Sequence, residues 1–247
     1  MNSALSFFHI REFTEDQFVL ASPMVLANGH IHLWWVCTQT FSSSARVKEL
    51  GHLLSAEETS RMSRFYFQQD RLRFAVAHGI LRILAGRYLN IPPGLVRFRQ
   101  QPNGKPELAG VAGASFSFNL AHSHQLVVLA FSRFPCIGVD VEFIRPMPDC
   151  QQIVDTYFHD RERAMIQCSP LSYKEKAFFD CWTRKEAFVK ATGEGLSRPL
   201  NSFFTATDSE PETGMFSVGG TGDGTADWKL LPFMPAPGYA GAVVFTA

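Results

Sequence analysis

Between residues 70 and 89 (DRLRFAVAHGILRILAGRYL) apolar side chains recur every three or four positions: Leu72, Ala75, Val76, Ile80, Ile83 and Leu84. That spacing places them on one face of an α-helix. Arg71, Arg82 and Arg87 are expected towards the other side, and Pro92, Pro93 and Gly94 are expected to stop the helix. A second long helix is predicted over 172–191, ended by Gly193. Ser55 followed by Glu58 is a capping box that starts a helix just upstream of the first. Shorter helices are predicted over 149–158 and 160–167. Runs rich in β-formers predict strands over 30–37, 95–99, 115–119, 126–132 and 137–143. The stretch 102–106 (PNGKP) reads as a turn, and 120–125 (LAHSHQ) as a short polar connection between two strands. Several more strands are expected after about residue 200, with 208–226 as a mobile loop poor in large apolar groups.

Each half of the chain then carries one long helix and several strands. The strands follow one another at hairpin spacing, which predicts an α+β fold rather than a parallel βαβ fold. No G-x-G-x-x-G or Walker-type phosphate loop is present, and Gly193-Glu194-Gly195 follows a helix, the wrong context for one. A length of 247 residues suits one large domain or two small ones, and 46 % hydrophobic residues suffice for a core. A net charge of zero gives no support for nucleic acid as the main partner. Five cysteines with no C-x-x-C pair argue against a disulfide framework or a cysteine zinc site. The N-terminus lacks the pattern of a signal peptide, and no run reaches the roughly 18 apolar residues of a membrane span. A cytoplasmic protein without a membrane partner is expected.

Four groups of residues can carry chemistry. In Gly138-Val139-Asp140-Val141-Glu142 the two acids alternate with apolar residues. In a strand they would share one face while Ile137, Val139 and Val141 face a core. Two adjacent carboxylates repel, a divalent cation removes that repulsion, and carboxylate oxygen suits Mg²⁺. The plainer reading is two solvated acids on an edge strand. On the helix over 172–191, Trp182, Glu186 and Lys190 form an i, i+4, i+8 stripe, which alone is equally a surface ion pair. Phe118 to His124 place Asn119, His122, Ser123 and His124 near a strand end, where they meet a ligand, form ordinary exposed loop groups or make a two-histidine metal site. Arg61, Arg64, Arg71, Arg73 and Lys105 offer cations that suit phosphate or merely solvate helix faces.

Taken together and in order, these pieces resemble the Sfp-type 4′-phosphopantetheinyl transferases. The matching segments are NGKPEL (103–108), FNLAHS (118–123), GVDVE (138–142) and WTRKEAFVKATGEGL (182–196), with RFYFQQDRLRFAVAHGILR (64–82) resembling the family's first-half helix. The resemblance spans roughly residues 55–205. One departure is Ala121, where the family often has serine, so one hydroxyl contact to the ligand is expected to be missing. The N-terminal 50 and C-terminal 40 residues match no motif.

The resemblance implies two similar α+β halves related by a pseudo-twofold, residues 1–134 and 135–247, with a coenzyme A cleft between them. It implies Asp140, Glu142 and Glu186 as Mg²⁺ ligands. Lys105 and His122 would contact coenzyme A phosphates, as would Lys190, and Arg61 and Arg73 are weaker candidates for the 3′-phosphate. Asp140 thus counts among both metal and coenzyme A ligands. The implied reaction is attack by a serine hydroxyl of an apo acyl or peptidyl carrier domain on the β-phosphorus of coenzyme A, releasing 3′,5′-ADP. Glu186 and Lys190 are the catalytic candidates, with a lysine or water relay as the alternative base. A monomer is expected, since one chain would complete the cleft. The rival expectations are a metal-dependent nucleotidyl transferase or phosphohydrolase, and an inactive coenzyme A-binding domain of the same fold.

Overall fold

The computed structural model describes residues 6–19, 22–101, 104–110, 116–205, 216–220 and 227–246. In chain order the elements are β1 (Phe8–Glu12), α1 (Glu15–Val19), β2 (Ile31–Cys37), α2 (Ser44–Leu53), α3 (Ala56–Ser63), α4 (Gln68–Leu89), β3 (Phe98–Gln100), β4 (Pro106–Leu108), β5 (Ser117–Ser123), β6 (Leu126–Ser132) and β7 (Ile137–Phe143). They continue with α5 (Cys150–Tyr157), α6 (Asp160–Cys168), α7 (Lys174–Thr192), β8 (Phe204–Thr205), β9 (Phe216–Gly219), β10 (Trp228–Phe233) and β11 (Tyr239–Thr246). The α+β expectation holds.

Two sheets organise the chain. The first runs β1-β2-β6-β5, with β1 parallel to β2 and the other pairs antiparallel. The second runs β7-β11-β10-β9-β8 and is antiparallel throughout. The strand period of two sorts their side chains cleanly. Trp34, Val36, Val127, Leu129 and Phe131 point towards α4 and join Val76, Ile80, Leu81 and Leu84 in one core. Ile31, Leu33, Val128 and Ala130 point the other way and pack on Val139, Val141, Val243 and Phe245 of the second sheet. Leu230, Ala242 and Val244 face α7 through Phe188 and Ala191. The layers are therefore helix, sheet, sheet, helix, and the two sheets meet along an apolar interior.

The edges of the two sheets are joined by side chains. Asn119 Oδ1 accepts from Val139 N at 2.9 Å, and Ser123 Oγ accepts from Phe143 N at 3.1 Å. Both pairs are 20 residues apart, so β5 and β7 run side by side in the same direction. Without these acceptors two edge N–H groups of β7 would lie next to an apolar interior unpaired.

Local rules explain most boundaries. Ser55 and Glu58 form the reciprocal capping box at the start of α3. Asn90, in the left-handed region at φ 55°, ends α4 just before the prolines, and Gly193 at φ 74° ends α7. Four expectations need correction. Residues 120–123 continue β5, leaving His124 (φ 51°) and Gln125 to turn into β6; cross-strand pairing with β6 outweighs their polar composition. The strand expected over 95–99 begins at Phe98, because Pro93–Leu95 forms a 3-10 turn. Within 208–226, residues 216–219 form β9, paired with β10, while 208–215 and 221–226 lie outside the described residues, as do Pro102, Asn103 and Ser115 of the turn and strand expectations. Arg82 is buried rather than outward: Nε and Nη2 donate to Glu58 Oε2 at 2.9 and 2.7 Å, and Nη1 donates to Val96 O at 2.8 Å.

Glu58 also accepts from Ser55 N at 2.8 Å and lies 3.1 Å from His78 Nδ1. Burial acts to raise its pKa, but His78, the Ser55 N–H and Arg82 outweigh it and hold the carboxyl at about 2. A carboxyl depressed in the folded state contributes its stability above the unfolded pKa, and that stability is lost as pH falls towards the folded value. Urea unfolding between pH 5 and pH 2 should therefore show a loss on the order of 3 kcal/mol attributable to this group. Glu58→Gln should be less stable at pH 5 and should lack that part of the acid dependence.

Candidate active site

Gly138, Asp140 and Glu142 lie on the face of β7 opposite the inter-sheet core, where α7 packs. A Cβ at position 138 would meet Ala187 O at 2.1 Å and Ala191 N at 2.3 Å. Only glycine lets the helix backbone rest on the strand. Glu186 and Lys190 flank this contact on α7 and are brought against the two acids of β7.

Asp140 is 5 % exposed. Its Oδ1 accepts from Lys190 Nζ at 2.6 Å, and its Oδ2 is buried with no hydrogen-bond partner. Burial pushes the Asp140 carboxyl up to about 7; Lys190 pulls it down, and the charges of Glu142 and Glu186 add to the rise. Burial likewise raises Glu186, with Lys190 opposing and Glu142 reinforcing the shift. Glu142 Oε2 accepts from Ser123 Oγ at 2.6 Å and lies 3.8 Å from Arg145 Nη1. Three carboxylates thus repel one another around a single ammonium, and one buried oxygen is left unsatisfied. A chemistry of this kind fits a hard divalent cation. Their oxygens do not all lie within 4.8 Å of one another as they stand; among the described residues only His9, His30 and His32 bring three ligand atoms that close.

The first half supplies a basic rim. His122, open to solvent on β5, has its pKa lowered to about 4, first by the protein crowded around the ring, then by Arg73, Lys190 and His78. At neutral pH it is therefore an uncharged donor or acceptor. Arg73 Nε donates to His124 O at 3.1 Å and Nη1 to Asp70 Oδ1 at 3.1 Å. Arg61 is exposed on α3 and lies over the Phe74 ring, which stacks on His78. Lys105 has a different occupation from the phosphate contact expected of it. Its Nζ donates to Ile137 O at 3.0 Å, Lys190 O at 2.7 Å and Ala191 O at 3.4 Å, so all three N–H groups are used on backbone at the start of β7 and the end of α7. Burial lowers its pKa. Ala121 is also not ligand-facing: it is buried in the inter-sheet core, so the expected loss of a hydroxyl contact has no counterpart here.

Three residues hold positioning roles that the sequence did not indicate, Asn119 and Ser123 having been expected only as ligand or loop groups. Asn119 and Ser123 share the face of β5 that meets β7, a pattern visible only once 120–123 is read as strand. Lys185, beside Glu186 in the motif, is wholly buried. Its Nζ lies 2.6 Å from Glu162 Oε2 and donates to Leu200 O and Phe203 O at 2.8 Å each. Glu162 in turn accepts from Thr205 N at 2.9 Å. An intrahelical spacing does not reveal a partner from α6.

Residues 136–244 match the family model described as the 4′-phosphopantetheinyl transferase superfamily, and residues 41–133 match that for the 4′-phosphopantetheinyl transferase N-terminal region. The chain is 33 % identical over 221 residues to the 4′-phosphopantetheinyl transferase HetI of Nostoc sp., covering 89 % of each protein. It is 33 % identical over 165 residues to psf-1 of Bacillus pumilus, covering 67 % of this chain and 68 % of the relative. It is 31 % identical over 150 residues to Sfp of Bacillus subtilis, covering 61 % and 65 %. These matches, over a fold of two α+β halves, define a transferase. The chain belongs to the Sfp-type 4′-phosphopantetheinyl transferases.

Two outcomes are expected. Lys185→Met should cost about 3–5 kcal/mol in urea unfolding, because it strands the buried Glu162 carboxylate. Gly138→Ala should cost about 3 kcal/mol or more, because the added methyl meets backbone that cannot yield without moving α7; loss of transfer should accompany it even in any fraction that stays folded.

Proposed function

We propose that this 4′-phosphopantetheinyl transferase moves the phosphopantetheine arm of coenzyme A onto a serine of an apo acyl or peptidyl carrier protein, using Mg²⁺ held by Asp140, Glu142 and Glu186. The observation that carries the metal assignment is the buried, unpartnered Asp140 Oδ2 among mutually repelling carboxylates. Bound there, the cation would offset the charge of the pyrophosphate. Family membership weighs against the nucleotidyl transferase and phosphohydrolase readings. The retained acids and Lys190 weigh against an inactive binder.

The protein's own groups divide the remaining work. The serine Oγ forms a bond to the β-phosphorus as the bond to the departing 3′,5′-ADP oxygen breaks, and the serine proton goes to Glu186. Burial raises the Glu186 pKa while a bound cation would lower it, so a lysine or water relay is the alternative route for that proton. Lys190, its side chain 31 % exposed, pairs with Asp140 and stands where it can turn to meet charge growing on the phosphates. His122 and Arg73 line the coenzyme A side of the groove, with Arg61 beyond Phe74. Lys105 acts at one remove by fixing the end of α7. We place the boundary between the halves at 134/135, with coenzyme A between them, and infer a cytoplasmic monomer. No helix among the described residues is long and apolar enough to cross a membrane.

The test weighs an apo carrier domain before and after incubation with the protein, coenzyme A and Mg²⁺. Gain of the phosphopantetheine mass is expected, and its absence across a panel of apo carriers would refute the activity. Asp140→Asn should slow transfer about a hundredfold or more without lowering the melting temperature, since it removes a charge that burial disfavours. Full transfer by that variant would refute the metal assignment.

A further inference from the structure

A second cluster of ligating groups lies on the first sheet and takes no part in the chemistry above. His9 on the edge strand β1 is registered directly opposite His32 on β2, and His30 immediately precedes β2. His9 Nε2 and His30 Nδ1 are at hydrogen-bond distance, 3.0 Å apart, with the two rings 13° from parallel and 5.2 Å between centroids. The His32 ring stands at 89° to that of His9, 5.2 Å between centroids. One ring nitrogen from each residue lies within 4.8 Å of the other two.

The surroundings orient the innermost ligand. His32 is 8 % exposed, and its Nδ1 lies 2.8 Å from Tyr88 Oη on α4. That oxygen also accepts from Trp34 Nε1 at 2.9 Å. When Nδ1 carries the proton and donates it to Tyr88 Oη, Nε2 is the nitrogen left for a ligand, the arrangement in which a second group fixes the tautomer of a metal-binding histidine. Two nitrogens bound tetrahedrally at ordinary zinc distances stand about 3.3 Å apart, close to the separation of His9 and His30.

We propose that His9, His30 and His32 form a transition-metal site of the zinc type that clasps β1 to β2 and, through Tyr88, to α4. Three imidazoles without a carboxylate select Zn²⁺, Co²⁺, Ni²⁺ or Cu²⁺ over Mg²⁺. Water completes the coordination on the open side. The site is separate in residues and in metal preference from the acids of β7 and α7.

The test uses the full chain stripped of metal and kept in excess Mg²⁺, so that the acidic site is not the one titrated. Calorimetry with ZnCl₂ should give one ion per chain, and CoCl₂ should give the visible absorption of a tetrahedral nitrogen site. Zn²⁺ should raise the melting temperature by several degrees. The His9→Gln/His30→Gln variant should lose the ion, the absorption and the thermal shift while keeping carrier transfer at the wild-type rate in Mg²⁺. Absence of stoichiometric uptake by the wild type, or equal uptake by the variant, would overturn the proposal.

Discussion

The contact that organises this molecule is backbone on backbone: α7 resting on β7 at Gly138. Every candidate group of the acidic site is referred to it. The strand offers carboxylates every second residue and the helix offers Glu186 and Lys190 one turn apart, but these two periods match in space only where the elements touch. A side chain at Gly138 would hold them apart. The surrounding structure then spends much of its polar capacity keeping the contact in place, with Lys105 tied to the carbonyls that end α7 and Lys185 tied to Glu162 behind it.

The arrangement also explains why one centre is electrostatically uncomfortable. Three acids crowd one ammonium in a half-closed space, with the Arg145 guanidinium only on the Glu142 side, and Asp140 retains a buried oxygen with nothing to accept. Structures tolerate such frustration where a ligand relieves it. The strain is distributed: burial is the first cause of the raised pKa at both Asp140 and Glu186, and the neighbouring charges come after it.

Much of this was legible in the sequence because the relevant signals are local. The long helices, the capping box at Ser55, the alternation in 137–143 and the stop at Gly193 each depend on a few neighbouring residues, and all were recovered. What escaped depends on partners far along the chain. Lys105 looks like a phosphate ligand until the end of α7 is seen beside it. Lys185 looks like its neighbour Glu186 until α6 is in place. Residues 120–123 look like a loop because the pairing with β6 that makes them a strand is a tertiary fact. The same holds for Arg82, which a helical wheel turns outward and Glu58 turns inward.

The seam between β5 and β7 carries a consequence for how such proteins can vary in length. Its stitches are the carboxamide of Asn119 and the hydroxyl of Ser123, placed on one side of a pleated strand. Adding or deleting one residue within β5 would exchange its two sides. Phe118, Leu120 and His122 would then be turned from the α4 side towards the second sheet, and the groove would lose its imidazole at the same stroke. Insertions and deletions should therefore be excluded from this short stretch in functional relatives, even where its individual side chains drift.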